Sequence, residues 1–135
     1  MTEQKIIDKV AYILIRDGQI LMTRSRGKKP YYIPGGKRES GETDQQALAR
    51  EVHEELNVKI KPETISYLGT FQAQADGHSA GTIVKMTCYE ADYHGKLSAS
   101  SEIEEICWLG YSDTDKIAAV DKIIFAYLKK NGRLL

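Results

Sequence analysis

Two cysteines, three prolines and one tryptophan are all that this chain of 135 residues contains of those types. Cys88 and Cys107 have no Cys-x-x-Cys spacing, and each sits in an apolar, strand-like stretch. They read as reduced core thiols, and a disulfide framework is excluded. The longest apolar runs, Val10 to Ile15 and Ile123 to Leu128, reach about six residues, where a helix crossing a bilayer needs about twenty. The opening Met1-Thr2-Glu3-Gln4-Lys5 has neither the basic start, the apolar stretch nor the small-residue cleavage site of a secretory signal, so a cytoplasmic location is expected. A surplus of charge is also missing: 19 Lys and Arg face 19 Asp and Glu. No net field is left to hold a nucleic-acid backbone or an anionic membrane. What remains is the composition of one folded domain, residues 1–135, with 41% hydrophobic and 28% charged residues. That balance excludes disorder, and the length allows about two-thirds of the unfolded surface to be buried.

The apolar pattern changes period along the chain. Between Lys5 and Ile15, the set Ile7, Lys9, Ala11, Ile13 and Ile15 alternates with a second apolar set, Val10, Tyr12 and Leu14, which marks a strand buried on both faces. Asp17-Gly18 predicts a tight hairpin turn into a second strand, Gln19 to Thr23. A basic loop, Ser25 to Pro30, leads to a short aromatic strand, Tyr31 to Ile33, which Pro34-Gly35-Gly36 must end. Thr43 is placed to cap a helix running to about Leu56, with Asp44 in its first turn and Leu48, Val52 and Leu56 at i+4 spacing. Asn57 supplies a left-handed stop. Two strands, Ile65 to Ala75 and Thr82 to Tyr93, then form a long hairpin. An acidic turn, Ser101 to Glu105, precedes a last strand, Ile106 to Leu109. A closing helix runs from about Asp115 to Lys130, its apolar face being Ile117, Val120, Ile124, Tyr127 and Leu128. This order predicts a mixed sheet with helices on its faces, an α/β (α+β) domain.

Chemistry concentrates on the first helix. At about 100° per residue, Glu51, Glu54 and Glu55 fall within roughly 100° of arc, where like charges repel. Ala47 lies in that arc one turn earlier and leaves open space, and the stripe Leu48, Val52, Leu56 runs beside the arc rather than opposite. The acidic patch is therefore expected at a crevice edge. Acidic residues on a helix are by default a solvated face, but here Gly35-Gly36 and Gly41 stand just upstream. They let the backbone bend closely around an oxygen-rich site and expose a carbonyl. Hard oxygen donors gathered in this way suit Mg2+ or Mn2+, whose charge offsets the repulsion.

The spacing is specific: Gly36, five residues, Glu42, seven residues, then Arg50-Glu51-Val52-His53-Glu54-Glu55-Leu56-Asn57-Val58. This resembles the Nudix box, matching every defined position from Gly36 to Val58 except the last glycine, where Asn57 stands. Asparagine is the residue after glycine best able to adopt positive φ. The resemblance implies the Nudix fold, an α/β/α sandwich around a mixed sheet. It also implies a hydrolase that uses Mg2+ or Mn2+ and water to cleave a phosphoanhydride in a nucleoside diphosphate derivative. Carried over by position, Glu51, Glu54 and Glu55 match the metal-binding glutamates, one of them a general base, and Gly36 matches a metal-binding backbone position. Arg50 and Glu42 match positions that brace the loop and orient those carboxylates, and Glu102 stands closest to the acidic ligand from outside the box.

For the substrate, Tyr32 and Phe71 are candidates to stack on a base. His78 is a candidate to reach a phosphate, and Arg24, with the neighbouring basic loop, to attract a triphosphate. A MutT-like pyrophosphohydrolase giving a nucleoside monophosphate and pyrophosphate is the leading expectation. ADP-ribose or another nucleotide sugar comes second, because no proline follows Pro62 where ADP-ribose pyrophosphatases carry one; dinucleoside polyphosphates come next. A nucleotide sensor of the same fold that does not hydrolyse is the reading from another class. The partner expected is a small-molecule nucleotide, bound by a monomer or homodimer.

Overall fold

The computed structural model describes residues 5–75 and 81–135. Strand β1 (Lys5–Tyr12) pairs on one side with the short antiparallel β4 (Gly35–Lys37) and on the other with the parallel β7 (Thr82–Glu90). Strand β6 (Ser66–Gln74) completes a mixed four-stranded sheet, antiparallel to β7 in the expected hairpin. A second, antiparallel sheet holds β2 (Ile15–Arg16), β3 (Gln19–Ser25) and β9 (Ile103–Leu109), and β5 (Lys59–Ile60) pairs with β8 (Tyr93–His94). Asp17 and Gly18, at φ 55° and 77°, make the left-handed pair that a two-residue hairpin turn needs.

Alternation along the strands divides the interior into two cores. On β1, Val10 and Tyr12 face one way, with Leu21 of β3 and with Leu48, Val52 and Leu56 of helix α1 (Asp44–Leu56). Ala11 and Ile13 face the other way, with Ile20 and Met22 and with Ile124, Phe125 and Leu128 of helix α2 (Ala119–Lys130). The chain is thus an α/β/α sandwich, as the resemblance implied. Tyr12 brings a hydroxyl into this interior and donates it to the Ala91 carbonyl at 2.7 Å. None of the described helices is long and apolar enough to cross a membrane.

Helix α1 begins and ends where its sequence says. Thr43 caps it in a reciprocal box with Gln46, and Asn57 closes it at φ 59°, in the left-handed region that glycine occupies in the family pattern.

Several expectations need correction. The last helix starts at Ala119 rather than near Asp115, because Tyr111–Lys116 forms 3-10 turns and Ile117 leaves the helix to bridge with Tyr31. Phe125, not Tyr127, fills the core, and Tyr127 is exposed with an edge contact to Phe71. Glu104 and Glu105 lie inside β9 rather than in a turn, since Ile103 is buried and Arg24 of β3 bonds both carboxylates. Tyr31 and Tyr32 contribute single bridges instead of a strand. Ala47 leaves no open space beside the glutamates, because it is fully buried on the core face of α1.

Leu48→Ala or Val52→Ala opens a void between α1 and the sheet. For Leu48→Ala a loss of about 2–5 kcal/mol is expected by denaturant unfolding, with less for valine; a loss within error would place the helix elsewhere.

Candidate active site

Two glycines bring α1 against β4. Gly35 has φ 148°, and a Cβ there would lie 2.1 Å from the Val10 carbonyl oxygen. At Gly36 a Cβ would lie 2.6 Å from the Glu51 carboxyl. Gly35 accepts no side chain because β1 backbone stands there, and a side chain at Gly36 would displace the Glu51 carboxyl; in this close packing the Gly35 N–H donates to Glu55 Oε1 at 2.8 Å. Burial pushes the Glu55 carboxyl up to about 8; the Gly35 N–H and the Lys9 charge pull the other way, and the Glu51 charge adds to the rise. Glu51 is also raised, first by burial, with Arg50 opposing.

Arg50 is the hub of the loop between β4 and α1. Its guanidinium takes Glu42 in a fork, Nε to Oε2 at 2.7 Å and Nη2 to Oε1 at 2.9 Å, and donates to Glu51 Oε1 at 2.9 Å and to the Lys37 carbonyl at 3.0 Å. Glu54, more exposed, lies 3.4 Å from Nη1. Bonds from Arg50 and from the Glu39 N–H hold Glu42 down to about 2, so it stays ionised as a brace. Arg38 ties the same loop to the sheet through Asp8 and Asp44, and Asp44 accepts from the Tyr89 hydroxyl.

The donor set fits a hard divalent cation: carboxylates, a glycine backbone free of side-chain obstruction, and in Glu55 a buried carboxyl that a nearby positive charge would relieve. The expected convergence is not yet assembled, however. Among the described residues no three acidic, histidine or cysteine side chains meet closely enough to hold an ion. Arg50 draws Glu51 and Glu54, while Gly35 holds Glu55.

Glu55 and Gly35 stand at the wall of a cavity of about 310 Å³ on the α2 side of the sheet. Lys9, Tyr32, Met86 and Asp121 also line it, and its volume is at the lower end of ligand sites. Asp121, 1% exposed in the first turn of α2, accepts from the Ile33 N–H at 3.2 Å.

Of the substrate candidates, Tyr32 lies in this cavity, and two others do not. Arg24 is engaged by Glu105, its partner in the ladder, and by the adjacent Glu104, and Phe71 packs edge-on against Tyr127. Glu102 is exposed in the turn before β9, its carbonyl accepting from the Arg26 N–H, away from the cavity wall. His78 lies outside the described residues. Sequence reasoning missed Lys9 and Asp121. Asp121 had a signal, since it stands four residues after Ile117 and three before Ile124, on the apolar face of its helix. Lys9 had a weaker one, a charge in the inward register of a strand that is otherwise apolar.

The layered fold sets the Glu55 and Asp121 carboxyl groups on the wall of one cleft. The NUDIX domain model matches residues 7–128, and the chain belongs to the Nudix hydrolase family. CTP pyrophosphohydrolase of Escherichia coli (strain K12) is 31% identical over 109 residues, which cover 77% of this chain and 76% of that protein. ADP-ribose pyrophosphatase of Methanocaldococcus jannaschii is 29% identical over 125 residues, 89% of this chain and 72% of that one. The solution structure of the E. coli ORF135 protein matches with a TM-score of 0.71 and 28% identity, covering 93% of this chain and 92% of that one.

The raised Glu55 carboxyl gives a signed pH dependence. It moves from 4.5 to about 8 on folding, so within that window the native state holds a proton the unfolded chain has lost. Stability from this group falls as pH rises. A bound cation favours the ionised form and opposes the fall. By calorimetry in EDTA the melting temperature should drop between roughly pH 5 and 8 relative to Glu55→Gln, while the increment from Mg2+ grows. An increment independent of pH would contradict the placement of this carboxyl.

Proposed function

We propose that the chain hydrolyses a nucleoside triphosphate to the monophosphate and pyrophosphate with Mg2+ or Mn2+, the nucleoside lying in the cavity between Tyr32 and Asp121. One observation carries the reading: Glu55 and the Gly35 backbone belong at once to the carboxylate corner and to the cavity wall. A phosphate chain entering the corner therefore continues into a concave space sized for one nucleoside rather than two. Similarity to a CTP pyrophosphohydrolase supports a triphosphate. Similarity to an ADP-ribose pyrophosphatase supports nucleotide sugars as the second choice, which a larger cavity would favour.

Glu54, Glu55 and the Gly36 backbone would hold the cation, with Glu102 the candidate ligand from outside the box. When bound, that cation supplies charge to neutralise the polyphosphate, which otherwise repels a nucleophile. Glu51 already has Arg50 as its counter-charge, whereas the charge of Glu55 depends on one arriving. We therefore assign Glu51 to accept the proton of the attacking water. A P–O bond forms to that water, the bond to the pyrophosphate leaving group breaks, and Arg50 keeps Glu51 aimed through the Glu42 fork.

A panel of nucleoside triphosphates, diphosphates and ADP-ribose, assayed with Mg2+, tests the substrate class; preference for ADP-ribose would overturn the triphosphate. Glu51→Gln and Glu55→Gln should each lower turnover by about 10²-fold or more. Both should remain folded, and only Glu55→Gln should lose the metal-induced rise in melting temperature. Unimpaired turnover in Glu55→Gln would reject the site.

A further inference from the structure

Lys9 stands outside the box and outside every hydrogen bond and ion pair described so far. It lies near the middle of β1, opposite Lys37 on one neighbour and Met86 on the other. In the alternation of that strand its register is shared with Ile7 and Ala11, so it belongs to the α2 side of the sheet, where the cavity is. A lysine in that register is unusual in physical terms. The two core-facing positions that follow in the same register, Ala11 and Ile13, are fully or almost fully buried and apolar.

The ammonium makes no hydrogen bond or ion pair within 4 Å among the described residues, although it is close enough for its charge to act on the Glu55 carboxyl. A half-buried cation on the cavity wall, with no carboxylate bonded to it among the described residues, is open to an anion that enters the cavity. Around it the cavity wall carries few other cations: Lys28 lines the same space from the loop before Tyr31, while Arg24, Arg38 and Arg50 are each committed to carboxylates elsewhere.

Resting on the hydrolase reading above, we propose that Lys9 is a substrate-contact residue whose ammonium donates to the polyphosphate where it passes from the carboxylate corner into the nucleoside cavity. Two properties make this position useful. Lys9 meets the phosphate from the sheet side, so it complements charge that a cation on the α1 side leaves uncompensated. It also offers a point charge on a flexible stem rather than a planar fork, which suits a phosphate that changes geometry during transfer. Because the interaction is with phosphate charge and not with the base, Lys9 strengthens binding of every nucleotide alike and leaves the choice among bases to other walls of the cavity.

The test is steady-state kinetics of Lys9→Met and Lys9→Arg on the four ribonucleoside triphosphates with Mg2+. Methionine keeps the length of the stem and removes the charge; Lys9→Gln serves if the methionine variant fails to melt cooperatively. Loss of one charge-assisted hydrogen bond should raise KM by about ten- to a hundred-fold, with kcat changed by less than about threefold. Lys9→Arg should recover most of the loss, and the relative kcat/KM across the four bases should stay as in the unmodified protein. A KM unchanged in Lys9→Met overturns the assignment, as does an arginine variant as impaired as the methionine one. A reordered preference among bases overturns it too, because it would place the ammonium on the base. If the unmodified protein hydrolyses none of the four but does hydrolyse ADP-ribose, the triphosphate reading fails while Lys9 is judged by the same split on that substrate. If it hydrolyses no phosphoanhydride at all, both fall together.

Discussion

A carboxyl group pressed against a backbone amide, with no cation bonded to it among the described residues, governs the architecture of this site. Glu55 reaches Gly35 where two consecutive glycines let β4 pack closely on both sides, Gly35 against the β1 backbone and Gly36 against the Glu51 carboxyl of α1. The same burial that fixes its position makes its charge unfavourable. The corner is therefore organised but electrically incomplete. Such a state persists because the rest of α1 is secured independently, by Leu48, Val52 and Leu56 in the core below and by caps at both ends.

The arrangement of arginines follows from that constraint. Arg50 and Arg38 are both occupied in holding the β4–α1 loop, one through Glu42 and Glu51, the other through Asp8 and Asp44. They give the loop rigidity without neutralising Glu55. Across the sheet, the cavity is walled by strands and the start of α2, and its lining mixes apolar side chains with polar ones from Lys9, Thr23, Ser25, Lys28, Gln74 and Asp121. On the proposed reading, chemistry belongs to one rim and recognition to the interior. This division is expected where a phosphate chain and a nucleoside must be handled by different forces.

How much of this was legible depends on the range of the interaction. Thr43, Asn57 and the Asp17-Gly18 turn act within a few residues, and each took the conformation its chemistry dictates. The box glutamates are legible because a helix fixes their relative angle. The start of α2 was misjudged because Ile117, apolar and in helical register, is taken by Tyr31 on a distant segment. Glu104 and Glu105 resembled a turn until Arg24, some eighty residues earlier in the chain, gave them a ladder to join. Lys9 and Asp121 come together only when β1 and α2 pack, so no local pattern could pair them with Glu55. The three glutamates share a helix face, as their spacing requires, yet Arg50 and Gly35 turn their carboxylates apart.

The central claim, that the charge of Glu55 waits on an incoming cation, can be read directly from the titration of its side-chain carboxyl carbon by nuclear magnetic resonance, with and without Mg2+. In EDTA the midpoint should lie near 8, and saturating Mg2+ should return it to or below the ordinary carboxylate range. A midpoint already in that range without metal, or one that Mg2+ leaves in place, would contradict the claim.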